Sequence, residues 1–283
     1  MSSGRMTILL VVAVVMAAGV SFGQVHFNDG KTWEIGYEIN DSVHADEGAE
    51  YAEAKTMVDI VENGSVPWPH SFRAYNQSTA VVSGGSVSTL KAYDTSTVDI
   101  SGGSVHFLQA YDKACLKLSS GNVAVIESYD TTRVEIIGGT FNKLSIYDNS
   151  TATLSGGGLS DWLNVWNKSN LNIIGGSIGG RGLRVWNTAN VNIYGGNVWT
   201  VHAFQSATIT FWATDFFLGE GLSLNGNELV GIGLLSGQWL DGTEWTTEIR
   251  WNDDTATILL IPEPATLLLL SLGGLALPYR KRQ

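Results

Sequence analysis

The sequence predicts an all-β fold, a parallel β-helix (a solenoid) of about eight or nine coils with 18–20 residues each. In such a fold each coil forms one layer and buries its apolar side chains only against the neighbouring layers. The first observation is an aromatic residue that recurs at a nearly constant step, roughly one coil length, along the chain. Its members are Tyr75, Tyr93, Tyr111, Tyr129, Tyr147, Trp166, Trp186 and Phe204. The second is a Gly-Gly pair that keeps the same step from Gly84-Gly85 to Gly195-Gly196, with Ser120-Gly121 in its one missing place.

The third observation is a strand pattern within each unit. In residues 90–107, Leu90 and Ala92 alternate with outward neighbours, and so do Val98 and Ile100. Alternation with a period of two is typical of a strand with one buried face. Each unit therefore predicts three short strands, with corners at Asp or Asn and at Gly-Gly, where glycine supplies backbone angles that other residues avoid. Two apolar columns are expected to line the core: Leu90, Leu108, Ile126, Leu144, Leu163, Leu183 and Val201, and Ile100, Leu118, Ile136, Leu154, Ile173 and Ile193.

Coils of this length can wind with either hand. Left-handed hexapeptide β-helices also use coils of this length, but they place an aliphatic residue at every sixth position. Here Ser96 and Gly102 lie six and twelve positions beyond Leu90, and the longer steps from Tyr147 to Trp166 and on to Trp186 break a strict hexapeptide. The repeats resemble the right-handed parallel β-helix of pectin-lyase-like proteins and bacterial surface passengers. This resemblance implies right-handed winding.

The N-terminal segment 1–23 is predicted to be a helical signal peptide, so that the protein is exported. Arg5 precedes an apolar run at residues 6–20, and Ser21-Phe22-Gly23 forms a small-x-small cleavage site before Gln24.

Residues 24–70 repeat the coil pattern of the chain imperfectly. We expect them to form capping coils, because an open β-helix end needs protection against edge-to-edge pairing.

Residues 71–205 hold the regular coils, and the register is lost after Phe204. A strand-forming stretch at 208–217 and a glycine-rich stretch at 219–237 precede a hairpin-like end with Asp241-Gly242 as its turn. We expect residues 206–261 to form a C-terminal β cap whose last strand is 257–260.

The C-terminal segment 262–283 combines three features in order: Pro262-Glu263-Pro264, an apolar run at 265–277, and the basic residues Arg280, Lys281 and Arg282. This tail resembles the PEP-CTERM sorting signal of Gram-negative bacteria. The resemblance implies processing near Pro-Glu-Pro by an exosortase-type enzyme and delivery to the cell surface or extracellular matrix, in association with exopolysaccharide. As a helix, the apolar run would span about 20 Å, less than the ~30 Å hydrocarbon core. Such a helix suits transient anchoring in the inner membrane, with its basic end in the cytoplasm.

The composition limits the classes of partner. The chain has 283 residues and a formal net charge of −11, which disfavours nucleic acid or an anionic membrane surface as a partner. Apolar residues make up 44%, enough for a substantial core. Cys115 is the only cysteine, so an internal disulfide is excluded, and an incidental free thiol is the simplest interpretation.

Two columns of side chains are candidate binding sites. Strand alternation places the aromatic column on the outer face, where stacked rings could form a platform for sugar rings; packing of the rings on one another is the favoured alternative. The platform residues are Tyr93, Tyr111, Tyr129, Tyr147, Trp166 and Trp186. The corner column could bind calcium, although a structural corner explains it better. Its carboxylates are Asp94, Asp112, Asp130 and Asp148.

An enzyme is the competing class, because parallel β-helices often carry polysaccharide lyases and glycosidases. Here the corners are short, and we expect no outward column that gathers two carboxylates beside Arg or Lys and no ligand spacing among the five histidines. We therefore expect a non-enzymatic protein without a cofactor, either structural or associated with exopolysaccharide. Its expected partners are an exosortase-type enzyme and extracellular polysaccharide. A carbohydrate-binding module or adhesin is the alternative, followed by a lyase or glycosidase.

Overall fold

The structure, a computed structural model, describes residues 24–253 and 255–262. It confirms a parallel β-solenoid, with about ten turns where eight or nine were expected. The additional turns arise because segments 24–70 and 206–261 also supply parallel strands to the stack. Among the described residues the helical content is a single 3-10 turn, Ala49–Tyr51. The signal helix and the sorting helix expected at the two ends lie outside these residues.

Strands β1 to β29, numbered along the chain, form two sheets. The larger sheet has 16 strands: β1 Val25–Phe27, β3 Val43–Ala45, β5 Ser65–Val66, β6 Phe72–Ala74, β8 Ser86–Ala92, β10 Ser104–Ala110, β12 Asn122–Ser128, β14 Thr140–Ile146, β16 Gly158–Val165, β18 Ser177–Ile178, β19 Gly182–Val185, β21 Asn197–Val198, β22 Thr200–Ala203, β24 Asp215–Leu218, β27 Gly233–Gln238 and β28 Glu244–Asn252. The smaller sheet has 13: β2 Thr32–Ile35, β4 Met57–Ile60, β7 Thr79–Val82, β9 Thr97–Ile100, β11 Cys115–Leu118, β13 Arg133–Ile136, β15 Thr151–Leu154, β17 Asn170–Ile173, β20 Asn190–Ile193, β23 Thr208–Ala213, β25 Leu222–Asn225, β26 Glu228–Gly231 and β29 Thr257–Pro262.

Successive turns pair in parallel, with equivalent repeat positions side by side. Leu108 pairs with Leu90 in the turn before it and with Ile126 in the turn after it, and Leu118 pairs with Ile100. Every member of both predicted apolar columns is at most 2% exposed. The core therefore runs along the axis between the two sheets, and each turn completes its burial and its backbone hydrogen bonds only through its neighbours.

Two of the three strands expected in each unit run together in the regular turns. β8, β10, β12 and β14 are each seven residues long and include both the valine edge and the leucine column. The strands are separate where residues intervene, as between β18 and β19. The continuous strands give the larger sheet a broad outer face, and the aromatic column borders that face.

The two ends of the stack differ. β1 and β2 begin their sheets, and each pairs with one strand among the described residues. At the other end, β28 and β29 return to the parallel stack beside β22 and β23. Antiparallel pairing of β27 with β28 and of β26 with β29 then covers their outer edges. Asp241-Gly242 lies in the turn between β27 and β28, but β29 continues the smaller sheet instead of joining that hairpin.

The sorting motif begins where the solenoid ends. Pro262 is the last residue of β29 and pairs with Ala213. The other motif residues, Glu263, Pro264, Arg280, Lys281 and Arg282, lie outside the described residues. Within the described ranges, no helix has the length and apolar character needed to cross a membrane.

Candidate functional site

The predicted aromatic column is a continuous stack of rings. From Tyr75 to Tyr147, successive ring centroids are 5.0 to 5.1 Å apart and the ring planes lie within 10° of parallel. The stack continues through Trp166 and Trp186 to Phe204, whose centroid is 3.7 Å from that of Trp186. Rings that lay side by side in one plane could not approach this closely, so neighbouring rings overlap face to face with an offset.

This stacking limits what the column can offer a ligand. The rings are half-buried, and their faces cover one another. Burial also raises the pKa of the Tyr93 and Tyr111 hydroxyls above the ordinary value. A sugar platform needs open ring faces, and the geometry therefore favours the structural role for the column. Trp251 is an exception: it follows Phe204 at 6.1 Å and is 53% exposed.

Polar side chains beside the stack bond to one another. Glu127 accepts hydrogen bonds from Nε2 of Gln109 (3.1 Å) and from the hydroxyl of Tyr129 (3.0 Å), and Nζ of Lys143 lies 3.8 Å from its other oxygen. Burial and the Glu127 carboxylate raise the pKa of Tyr129 strongly. These contacts commit the Glu127 carboxylate to partners within the protein.

The expectation that no outward column gathers two carboxylates beside Arg or Lys was wrong. On the smaller sheet, Lys117 of β11 pairs with Asp99 of β9 on one side and with Glu135 of β13 on the other. Each of the three residues is half-buried on the outer side of its strand.

A guanidinium–indole pair lies further along the outer face of the larger sheet. The Cζ atom of Arg184 is 3.3 Å from the ring centroid of Trp162, a cation–π contact. Burial, together with the neighbouring Arg181, lowers the pKa of Arg184. The guanidinium therefore covers one face of the Trp162 ring.

The corner column has a structural geometry. Its residues, Asn76, Asp94, Asp112, Asp130, Asp148, Asn167 and Asn187, have left-handed backbones with φ between 51° and 61°. The backbone N–H of Asp94 donates to Oδ2 of Asp112 at 3.0 Å, and that of Asp112 donates to Oδ2 of Asp130 at 3.0 Å. One oxygen of each carboxylate is thus bonded to the preceding turn. Within the described ranges, the column does not bring three His, Cys, Asp or Glu ligand atoms together around one ion. Calcium binding stays a prediction.

A cluster at the N-terminal end was not found from the sequence. His26 on β1 and His44 on β3 pair directly, and Glu47 follows β3. Oε2 of Glu47 is 2.5 Å from Nδ1 of His44 and 3.5 Å from Nδ1 of His26. His26 and His44 are one coil length apart in the chain, and that spacing was the available signal. The expectation that the histidines share no ligand spacing was therefore wrong for this pair, because residues one coil length apart pair between turns.

A depression of about 600 Å³ lies beside the C-terminal turn and is lined in part by Trp239, Asp241 and Glu244. The backbone N–H of Thr243 donates to Oδ1 of Asp241 at 2.9 Å, and this hydrogen bond lowers the pKa of that carboxyl. A carboxylate held in its ionised form suits a turn better than it suits general-acid catalysis.

Cys115 occupies the outer side of β11 and is half-buried. Burial raises the pKa of its thiol, which lowers the fraction of reactive thiolate at neutral pH.

Comparison with known proteins found no match to any protein family, curated protein or solved structure. A solenoid fold is compatible with many functions, so function has to be argued from the residues described above.

Proposed function

We propose that this protein is an exported, non-enzymatic scaffold of the cell surface or extracellular matrix that associates with exopolysaccharide. One observation supports this most: the side chains of the aromatic column and of the corner column contact the neighbouring turns of the solenoid. The aromatic rings cover each other's faces, and the corner carboxylates accept backbone hydrogen bonds from the neighbouring turn. Such bonding favours a rigid rod over a reactive cleft.

The export route is part of the proposal. Residues 1–23 would direct secretion, and segment 262–283 would anchor the chain in the inner membrane until an exosortase-type enzyme acts near Pro262-Glu263-Pro264. The position of Pro262 at the end of β29 supports this route, because processing beyond it leaves every strand of the solenoid in place. Right-handed winding of the solenoid, which the resemblance to pectin-lyase-like proteins implies, is also part of this proposal.

The route is tested in a bacterium that has an exosortase-type system and in a matched strain that lacks it. The full-length chain should appear at the surface in a shortened form only in the first strain. Replacement of Pro262, Glu263 and Pro264 by alanine should abolish the shortening. Identical processing in both strains would rule out the proposed route.

The non-enzymatic role is tested by incubating the purified chain with neutral and uronate-containing polysaccharides. We expect no release of reducing ends and no unsaturated product. Sustained depolymerisation that persists through repeated purification would replace the scaffold by a lyase or a glycosidase.

Carbohydrate binding along the aromatic column is the second candidate, favoured by the open ring of Trp251 at the C-terminal end of the stack. A glycan array separates the two functions. Specific binding that is lost in Trp166→Ala, Trp186→Ala or Trp251→Ala indicates a binding module. Trp68→Ala is the control, because Trp68 is 81% exposed and lies outside the stack. A complete lack of glycan binding favours the scaffold.

A further inference from the structure

We propose that His26, His44 and Glu47 form a binding site for a divalent transition-metal ion of the Zn²⁺ class. One potential ligand atom from each residue lies within 4.8 Å of the other two. The parallel stack creates this proximity, because β1 and β3 pair with His26 opposite His44. The two imidazole rings lie one above the other, with centroids 5.0 Å apart and planes at 51°.

The donor set matches the chemistry of such an ion. Two imidazole nitrogens and one carboxylate oxygen suit Zn²⁺ and similar ions, whereas calcium and magnesium prefer oxygen ligands. Three protein ligands leave a fourth position for water, and the side chain of His26, 40% exposed, is open to solvent. Zn²⁺ binds nitrogen and oxygen ligands at about 2.0–2.2 Å. The 3.5 Å between Nδ1 of His26 and Oε2 of Glu47 therefore allows both atoms to reach one ion.

His44 supplies the buried ligand of the site. Its side chain is fully buried, and its Nε2 atom has no hydrogen-bond partner, so Nδ1 is the ring nitrogen that faces the other two ligands. Its Nδ1 instead contacts Glu47 at 2.5 Å. A small rotation of the Glu47 side chain would replace this contact by a shared ion.

The loop that presents Glu47 is held from several sides. Asp46 has a left-handed backbone (φ 53°), and its carboxylate accepts hydrogen bonds from the backbone N–H and hydroxyl of Thr56 at 2.9 and 2.7 Å. The backbone N–H of Glu47 donates to Oδ1 of Asn28 at 3.3 Å. These bonds place the carboxylate over the two imidazoles before any ion binds. An ion held there would link β1, β3 and this loop, and so stabilise the first turn of the described solenoid.

The test uses the full-length chain, purified in a neutral detergent with an affinity tag that contains no histidine. Zn²⁺ is titrated by calorimetry, and Co²⁺ binding is followed by its visible absorption. We expect one ion per chain and a thermal midpoint that rises with Zn²⁺ but not with Ca²⁺. His26→Ala and Glu47→Gln should each weaken Zn²⁺ binding at least tenfold. The matched control His106→Ala, which removes an exposed imidazole on β10, should leave binding unchanged.

His26 and Glu47 are chosen because both are partly exposed, so their replacement should leave the metal-free chain folded. Far-UV circular dichroism and the metal-free thermal midpoint verify this. If a folded Glu47→Gln variant binds Zn²⁺ as tightly as the parent chain, the site is overturned. The same conclusion follows if the parent chain binds no Zn²⁺ at micromolar concentrations.

Discussion

At the scale of the residue, each Asp corner combines a left-handed backbone with a hydrogen bond between turns. Asp112 has φ 58° and accepts a hydrogen bond from the backbone N–H of Asp94. Most residues with a β-carbon are strained in this conformation, and Asp or Asn tolerates it best because its side chain can bond locally. One side chain thus sets the bend of its own turn and contacts the turn before it.

We expect Asp112→Ala to lower the free energy of unfolding by about 1–3 kcal/mol, from backbone strain and a lost hydrogen bond that solvent partly replaces. Asp112→Gly removes the bond without the strain and should lose less, and Asp112→Asn should lose least. Midpoints of chemical denaturation measure the order. Equal losses for Ala and Asn would contradict this account of the corner.

Calcium binding at the corner column is tested on the parent chain. A thermal midpoint that does not change in millimolar calcium would exclude calcium binding at this column.

At the scale of the element, the two glycines of a corner are required for different reasons. Gly157 has φ 84°, a conformation that favours glycine. Gly156 has an ordinary backbone, but a β-carbon there would lie 2.0 Å from the carbonyl oxygen of Ile137 in the preceding turn. At this corner the expectation that the pair supplies unusual backbone angles thus holds for the second glycine only, and close stacking of turns disfavours a side chain at the first.

Ser120 shows what a side chain at the first position does. Its hydroxyl donates a short hydrogen bond to the carbonyl oxygen of Ser101. Its backbone N–H lies 3.5 Å from the carbonyl oxygen of Ile100, compared with 3.2 Å for the equivalent bond from Gly102 to Val82. The corner therefore accepts a small side chain by loosening the contact between turns.

We expect Gly156→Ala to destabilise the solenoid by about 1–3 kcal/mol through overpacking against Ile137. Gly158→Ala, at the second position after it, is the matched control, because a β-carbon there meets nothing within 4 Å. It should be neutral or slightly stabilising, since alanine restricts the unfolded chain. Both variants are compared by denaturation midpoint. Similar midpoints for the two would show that stacking does not select the first glycine.

At the scale of the whole molecule, the chain closes the C-terminal end of the rod with its own antiparallel strands. The excursion 215–238 leaves β23 and returns to cover the edges of β28 and β29. Exposed strand edges are templates for pairing with another chain. Thr214 already contacts Gln238, because both its backbone N–H and its hydroxyl donate to that carbonyl oxygen at 2.9 Å.

Deletion of residues 215–238 should be sterically feasible, because Thr214 lies next to the point where the chain resumes at Trp239. The deletion should leave the outer edges of β28 and β29 unpaired. We expect the shortened chain to associate, with a higher mass by light scattering than the parent chain at equal concentration in the same detergent. Retention of the parent mass, with β-structure intact by circular dichroism, would indicate that these strands do not protect the end.

The solenoid and its core were predictable from the sequence because tertiary contacts in this fold repeat at a nearly constant sequence separation. Leu90 and Leu108 are neighbours in space for the same reason that they lie one coil length apart in the chain. The columns at Ile100 and Asp112 follow from the same rule. The period in the sequence equals the separation between residues that contact each other in successive turns. The fold class, the core columns and the corner positions could therefore be predicted from the sequence.

The tertiary structure alone decided the features that depart from this period. β28 rejoins the stack well beyond one coil length after β22, with Ile249 beside Val201, because the excursion interrupts the repeat. The overlap of the aromatic rings depends on side-chain orientation, which strand alternation does not specify. The contact of Glu47 with His26 and His44 depends on a loop held by Asp46. The sequence by itself determined where the turns stack, and three-dimensional packing determined which side chains remain available for binding.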